Sequence, residues 1–156
     1  MADSDARTGF GAFLQKGDGQ SSENFITMLG VTSMAGPSIT RDTHDVTAMT
    51  SPGGWREFIG GLKDGGEVTF DANWLPRDVT QSQDEGGFMA EFDKDSCESR
   101  GNWRILVPAC PGEDEVILTF AGIVTGQNIQ IPMDDKMSFS GTIKVSGRPT
   151  LEILTA

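Results

Sequence analysis

The chain has 156 residues, a length that suits one domain with its own hydrophobic core. Its formal net charge of −11 weighs against a sequence-reading DNA-binding protein, because such proteins neutralise phosphates with Lys and Arg. No apolar run approaches the ~18 residues of a membrane span, and the acidic, polar start MADSDARTGF is no secretory signal. Composition therefore predicts a globular domain outside the membrane.

The first part of the chain predicts strands. Residues 1–9 are expected to form a flexible N-terminal segment, and a single domain is expected to span residues 10–156. A short apolar stretch, Phe10–Leu14, precedes a Gly-Asp-Gly turn signal. The segment Asn24–Met34 is rich in β-branched residues and predicts one strand. A weaker strand is expected within Ser38–Met49.

A long excursion between early strands, Thr43–Gly66, is predicted to contain a short helix. Ser51 can cap such a helix, and Pro52 suits its first position. The apolar residues that follow have the spacing of one helical face: Trp55, Phe58, Ile59 and Leu62.

Beyond the excursion, the segment Glu67–Asn73 alternates as a strand should. Its inward residues are predicted to be Val68, Phe70 and Ala72, followed by Trp74, and its outward residues to be Glu67, Thr69, Asp71 and Asn73.

A flanking helix is then predicted over about 82–95. Ser82 and Glu85 have capping-box spacing, and an aromatic stripe of Phe88, Met89 and Phe92 is expected to pack on a sheet.

Three strands are predicted to complete the domain. The first is predicted over NWRILVPACP, Asn102–Pro111. The second, Glu115–Pro132, is either one long strand or a bent pair of strands, with Val116, Leu118 and Phe120 on its inner face and a bulge expected at Gly122. The third alternates, with Met137, Phe139, Gly141, Ile143 and Val145 inward, and Ser138, Ser140, Thr142, Lys144 and Ser146 outward. It is expected to end at Gly147-Arg148-Pro149, with Leu151–Ala156 as a tail.

These elements predict a mainly β fold: an antiparallel β sandwich or barrel with one flanking helix, about 82–95, and a long early inter-strand loop.

The sequence contains no credible catalytic set. His44 is the single histidine, and its neighbour Asp45 would point to the opposite face of a strand. Cys97 and Cys110 lack CxxC spacing and are expected to be free thiols in a reducing cytoplasm, although a bridge under oxidising conditions stays open. Acidic clusters near Asp93, Glu113 and Asp134 match no EF-hand loop. The chain is therefore predicted to be a binding or structural protein without enzyme activity, metal or cofactor.

Three features in order resemble the tail tube (major tail) proteins of long non-contractile-tailed bacteriophages of the phage lambda type. A strand ends in Asn73-Trp74 and a proline, with a helix soon after. A strand then crosses at Phe120-Ala121-Gly122 and leads to a polar turn at Asp134-Asp135. The last strand runs into Val145–Pro149. The resemblance covers about residues 25–154, and the segment TAMTSPGGWREFIGGLKDGGEVTF is also typical of the group.

The resemblance implies a β sandwich with a flanking helix that assembles into hexameric rings, which stack into a hollow conduit for DNA ejection. It implies a virion tail protein assembled in the host cytoplasm. Its partners would be further copies of itself, the tape-measure protein that the tube houses, and the tail tip and tail terminator proteins. DNA would pass without specific binding, and no membrane would be involved. The chain is similar to the tube domain alone, without the immunoglobulin-like domain that some members append.

Within that expectation, the long excursion is predicted to contact the next ring, through candidate residues Thr43, Trp55, Arg56, Phe58 and Ile59; packing of the aromatics on their own subunit's core is the open alternative. Residues 1–9 are a second candidate. The lumen is predicted to be lined either by Ser138, Ser140 and Thr142, or by Glu67, Thr69 and Asp71, because such walls give DNA nothing to bind. Lys144 fits this prediction poorly.

Two other classes stay open. One is the tube protein of a contractile, type VI-like injection system, which an absence of neighbouring phage structural genes would favour. The other is a monomeric β-sandwich module that binds carbohydrate, which would display exposed aromatics in a groove. Rings or tubes of the purified protein in electron microscopy would show that it forms a conduit.

Overall fold

The computed structural model describes residues 8–84, 86–109 and 114–155, and these residues form a mainly β domain. The predicted fold class, a mainly β antiparallel sandwich or barrel with one flanking helix, is confirmed, and the arrangement is that of a sandwich. The elements are β1 Phe13–Gly17, β2 Phe25–Thr27, β3 Val31–Ala35, β4 Thr40–Asp45, β5 Phe58–Asp64, β6 Glu67–Asn73, α1 Phe88–Phe92, β7 Arg100–Val107, β8 Glu115–Gln130 and β9 Ser138–Leu154. No helix in the described ranges is long and apolar enough to cross a membrane.

Seven antiparallel strands form one continuous sheet in the order β2-β1-β7-β8-β9-β6-β3. Strands β8 and β9 have 16 and 17 residues, so each takes part in two layers. Strand β7 pairs with residues 116–123 of β8, whereas β6 pairs with residues 138–144 of β9. Register shifts after Thr119 and after Val124 mark where β8 bends from one layer to the other.

We call the two halves the wall layer and the back layer. The wall layer consists of β3, β6, the first half of β9 and the second half of β8. The back layer consists of β2, β1, β7, the first half of β8 and the second half of β9. Helix α1 closes the space between them.

The core lies between the layers and is centred on Phe88 of α1. Its ring lies 4.9 Å from the Phe70 ring and 5.5 Å from the Phe139 ring of the wall layer, and 5.8 Å from the Trp103 ring of the back layer. All four side chains are almost completely buried. Edge-on aromatic pairs of this kind add to the burial energy and fix the spacing of the layers.

The prediction of a single strand over Asn24–Met34 is wrong, because a turn divides it into β2 and β3. Gly30 has a φ of +80°, and a Cβ there would lie 3.0 Å from the Asn73 carbonyl oxygen. Only glycine suits this backbone conformation and close approach. The turn carries the chain from the back layer to the wall layer.

The helix predicted near Ser51–Leu62 is also wrong. A 3₁₀ turn at Pro52–Gly54 is followed by β5, which pairs with β4 as a two-stranded hairpin. Two glycines decide this outcome, because each weakens a helix by about 1 kcal/mol relative to Ala. Cβ atoms at Gly60 and Gly61 would lie 3.2 Å from Arg41 Cδ and 2.7 Å from His44 Nε2, so both glycines leave room for side chains of the partner strand.

Helix α1 is shorter than the predicted span of about 82–95. It begins after Gly87, which makes no side-chain cap hydrogen bond, and the Glu85 half of the predicted capping box lies outside the described residues. Ser82 instead donates its hydroxyl to the Val79 carbonyl oxygen at 3.4 Å, within the preceding turns. Of the predicted stripe, Phe88 and Met89 are buried, whereas Phe92 is 44% exposed.

Strand β9 does not end at Gly147-Arg148-Pro149. The chain bulges there, opposite Phe120, and then pairs with the first half of β8 as far as Leu154. The expectation that Leu151 begins a tail is therefore wrong. The bulge predicted at Gly122 is displaced to either side of that residue, and Gly122 itself is buried, where a Cβ would lie 2.5 Å from Ile143 Cγ2.

Candidate functional site

The two polar sets predicted as alternative lumen faces lie on one face of the wall layer. In the pairing of β6 with β9, Thr69 is opposite Thr142 and Asp71 is opposite Ser140. Residues directly opposite in an antiparallel pair project to the same side of the sheet. The structure therefore brings both sets together in one surface.

Strands β8 and β3 extend this surface on either side. Asn128 and Gln130 lie opposite Ser140 and Ser138, and the Ser33 hydroxyl donates to Asp71 Oδ2 at 3.1 Å. We call the combined face the polar wall; its members are Ser33, Glu67, Thr69, Asp71, Asn128, Gln130, Ser138, Ser140, Thr142 and Lys144. Asn128 and Gln130 were not among the residues predicted to line the lumen, although the polar run at the end of β8 indicates them.

Lys144 is the only cationic member of the polar wall, and its charge is compensated. Its Nζ lies 3.2 Å from Asp64 Oδ1 and 3.3 Å from Asp64 Oδ2, and its register partner is Glu67. The Gly66 amide and then Lys144 hold the pKa of the Asp64 carboxyl below its ordinary 3.8. The wall therefore combines hydroxyls, amides and carboxylates with no unpaired cation among its members.

The second candidate surface is the hairpin of β4, β5 and the connecting residues 46–57, which we call the arm. All of β4 and nearly all of β5 are exposed to solvent. All five predicted loop contact residues lie on it: Trp55 is 78% exposed, and Phe58 and Ile59 are 55% exposed. Thr43 lies opposite Gly60, and Arg56 follows the 3₁₀ turn. The open alternative, that Trp55 and Phe58 pack on their own core, does not hold in this chain.

The base of the arm is fixed to the wall layer. The Val145 amide donates to the Gly66 carbonyl oxygen at 2.9 Å, and the Gly66 amide donates to Asp64 Oδ1 at 2.8 Å. A Cβ at Gly65 would lie 2.6 Å from Val145 Cγ1, so the backbone passes directly over that side chain. These contacts set the direction in which the arm leaves the domain.

The tip of the arm is ordered by its own hydrogen bonds. The Glu57 amide donates to Thr47 Oγ1 at 2.8 Å, the Ala48 amide donates to Ser51 Oγ at 2.9 Å, and the Ser51 hydroxyl donates to Glu57 Oε2 at 2.9 Å. Hydrogen bonds from the Thr47 hydroxyl and amide also lower the pKa of Asp45. The tip thus has a defined shape without support from the rest of the domain.

The wall layer has two free edges. In the described ranges, β3 pairs only with β6, and residues 124–130 of β8 pair only with β9. The outer backbone N–H and C=O groups of these segments are available to another strand.

The described residues include no group of three or more His, Cys, Asp or Glu that could hold a metal ion. His44 packs beside Gly61 in the arm, and Cys97 is exposed; Cys110 and Glu113 lie outside the described residues.

The model of the family described as lambda phage tail tube protein, TTP, matches residues 13–152, which is most of the chain. The chain belongs to the lambda phage tail tube protein family. No curated protein shows a significant match to it.

Solved structures show the same fold in other tail-like assemblies. The chain is 19% identical to a protein in the tail of an empty GTA particle, with a TM-score of 0.68 and coverage of 94% of this chain and 99% of that one. It is 11% identical to a chain of the PVC sheath/tube terminator, with a TM-score of 0.71 and coverage of 97% and 99%. For the anti-feeding prophage tube-terminating cap the identity is 15%, the TM-score 0.69 and the coverage 100% and 95%.

Family membership establishes the general role of the chain as a structural subunit of a particle's tail tube. Tail tube proteins are structural, and the polar wall, the arm and the free sheet edges are the surfaces on which such a role can depend.

Proposed function

We propose that six copies of this tail tube protein join through the edges of their wall layers to close a ring, with the polar wall facing the bore. The observation that carries the proposal is that the polar wall lies between the two free edges of one four-stranded layer. The edge at β3 of one copy would pair with the edge at residues 124–130 of β8 in the next. Such head-to-tail contacts close when the rotation between copies divides a full turn. The similar GTA tail has C6 symmetry.

Simple geometry supports a bore of useful width. Six copies of a four-stranded layer make 24 strands, and strands spaced ~4.8 Å apart enclose a cylinder about 37 Å across before tilt widens it. A lumen of this size accommodates a DNA duplex or, before DNA passes, an elongated tape-measure protein. The tail tip and tail terminator proteins would cap the two ends of the stack.

The chemistry of the wall suits passage of DNA. Binding to DNA depends largely on Lys and Arg that replace the counterions around its phosphates. The polar wall offers hydroxyls, amides and carboxylates, and its one amine is paired with Asp64. The polar wall would repel DNA weakly or not bind it at all, so DNA could slide through the bore.

The arm would form the contact between rings. Its large apolar side chains are exposed in the single chain, and exposed clusters of this kind mark interaction sites. Candidate contact residues remain Thr43, Trp55, Arg56, Phe58 and Ile59. Residues 1–9 remain a second candidate; of these, 1–7 lie outside the described residues.

A tube inside a contractile sheath is the alternative function. It is favoured by the fold similarity to the PVC and anti-feeding prophage proteins, at TM-scores of 0.71 and 0.69. Electron microscopy of the whole particle separates the alternatives, because a contractile system adds a sheath around the tube.

The test of the proposal is electron microscopy of the full chain produced together with the tail proteins of its particle. We expect hollow tubes with six-fold symmetry in cross-section. Tubes of another symmetry would reject the six-copy ring, and a protein that stays monomeric beside assembled tails would reject the tube role itself.

A further inference from the structure

The arm leaves the domain at one end of the wall layer, and a second exposed apolar surface lies at the other end. The arm base adjoins Glu67, where β6 begins, whereas β6 ends at Asn73, and the turn between β8 and β9 follows Gln130. A seven-residue strand is about 23 Å long. The two surfaces are therefore separated by the full height of the wall layer.

The second surface comprises two adjoining turns, residues 131–137 and residues 75–79, and we call it the end surface. The Trp74 amide donates to the Met137 carbonyl oxygen at 3.1 Å and so ties the turns together. Its apolar members are strongly exposed: Ile131 is 68%, Met133 102% and Val79 70% exposed. Leu75 and Met137 are 37% and 40% exposed.

One exposed cation at the arm tip has acidic counterparts on the end surface. At the tip, the Glu57 carboxylate accepts a hydrogen bond from Ser51, and Arg56 beside it makes no ion pair with any residue that the structure describes. The end surface carries Asp78, Asp134 and Asp135 against Arg77 and Lys136, a net charge of −1, and neither Asp134 nor Asp135 forms an ion pair within the described ranges. An unpaired cation beside Trp55 thus has a counterpart in two carboxylates beside Met133.

We propose that the end surface is the receiving site for the arm tip of a second copy in the adjacent ring. Trp55 and Met49 would contact Ile131 and Met133, and Arg56 would contact Asp134 or Asp135. This inference rests on the proposed function of the arm. A contact between opposite ends of identical subunits repeats along an axis without closing, which is what a stack of rings requires.

Charge reversal tests the pairing. The variants are Arg56→Glu, the double variant Asp134→Arg with Asp135→Arg, and the triple variant that combines them. Each is made in the full chain with the tail proteins of its particle, and tube length is measured by negative-stain electron microscopy at low salt. If each reversal weakens one exposed contact about twofold, six contacts weaken a ring junction about sixtyfold.

We expect Arg56→Glu and the double variant each to yield single rings or short stacks, and the triple variant to restore long tubes. Lys63→Glu is the matched control, because it makes the same charge change on the arm but away from the tip, and it should leave tube length unchanged. Failure of the triple variant to restore tubes that both parents lose, or normal tubes from both parents, would overturn the pairing.

A tip deletion separates this inference from the proposed function. Residues 47–56 are replaced by a two-residue turn. If these chains still stack normally, the arm tip makes no required ring-to-ring contact, and the proposed function fails for Trp55 and Arg56. If the deletion abolishes stacking while the charge-reversed chains stack normally, the arm contacts the next ring at some surface other than the end surface.

Discussion

Lys144 Nζ lies 3.2 Å from Asp64 Oδ1, and this ion pair joins the polar wall to the last residue of the arm. The pair has two consequences. It compensates the only cation of a surface that we propose DNA must pass without binding. It also joins the base of the arm to the wall layer, so in the tube that we propose the lining of one ring and its contact with the next ring would depend on the same two side chains.

Breaking this pair should loosen the arm without unfolding the domain. Both side chains are substantially exposed, at 42% and 56%, and exposed ion pairs contribute little to global stability. We expect Lys144→Gln to leave the unfolding midpoint nearly unchanged and to speed amide exchange across β4 and β5 in hydrogen-exchange mass spectrometry. The swapped pair Asp64→Lys with Lys144→Asp should slow that exchange again; an unaltered exchange pattern in Lys144→Gln would show that the pair does not hold the arm.

Acid should release the arm base at a pH below the ordinary carboxyl range. The Gly66 amide, and secondarily Lys144, lower the pKa of Asp64 below 3.8. A lowered folded-state pKa means that the stabilisation is fully present above the unfolded pKa and is lost as pH falls through the folded pKa. An NMR titration of the Asp64 carboxyl should therefore have its midpoint below 3.8. A midpoint at or above that value would contradict the arrangement of Gly66 and Lys144 around it.

Removing the central aromatic ring should destabilise the domain strongly. Phe88 is fully buried and contacts three other aromatic rings. We expect Phe88→Ala to lower the free energy of unfolding by about 3–5 kcal/mol in denaturant titration. Phe92→Ala is the control on the same helix; because Phe92 is 44% exposed, its change should stay within about 0.5 kcal/mol. Equal effects would mean that α1 is packed differently.

Gly141 is required by close packing under the polar wall. A Cβ there would lie 2.5 Å from Phe88 Cζ and 2.7 Å from Phe70 Cε1. Gly141→Ala should lower the free energy of unfolding by about 1–3 kcal/mol, because the rings must shift to make room. Gly126→Ala, in the neighbouring strand, meets nothing within 4 Å and should be tolerated. A neutral Gly141→Ala would show that the two layers are farther apart.

A cation introduced on the polar wall should slow the passage of DNA through the tube and leave tube assembly unchanged. In Thr142→Arg, each ring would present six guanidinium groups to the bore if the wall faces it, and each would bind phosphate. We expect tubes of normal length but slower DNA release from triggered particles, with the defect weakening as salt rises. Thr150→Arg, on the back-layer half of β9, is the matched control. Equal release rates in the two variants would place the polar wall away from the bore.

The alternation of apolar and polar residues along the strands predicted the fold well, because burial of one face of a strand requires this alternation. The sequence of β9 alternates between Phe139, Ile143 and Val145 on one side and hydroxyl residues on the other, and those three apolar side chains are buried. The same alternation in β6 buries Val68, Phe70 and Ala72. A side chain cannot change faces without shifting the register of the whole strand, so this pattern survives folding.

The arm could not be predicted from periodicity, because neither of its faces is buried within one chain. The spacing of Trp55, Phe58, Ile59 and Leu62 also fits a helix, but these residues are exposed on a hairpin, where a partner's surface and not their own core would select apolar side chains. The polar wall was predicted as two alternatives because the pairing of β6 with β9 joins residues about 70 positions apart, which no local pattern contains. The division of β8 and β9 between the two layers could not be predicted for the same reason, because it depends on pairing with strands that are distant in the sequence.

A cryo-electron microscopy map of the assembled tube, at side-chain resolution, tests the central claim most directly. We predict six copies per ring, with Thr69, Asp71, Ser140 and Thr142 facing the bore and β3 of each copy hydrogen-bonded to β8 of the next. A map in which these four side chains lie on the outer surface of the tube, or in which the two edges do not meet, would contradict it.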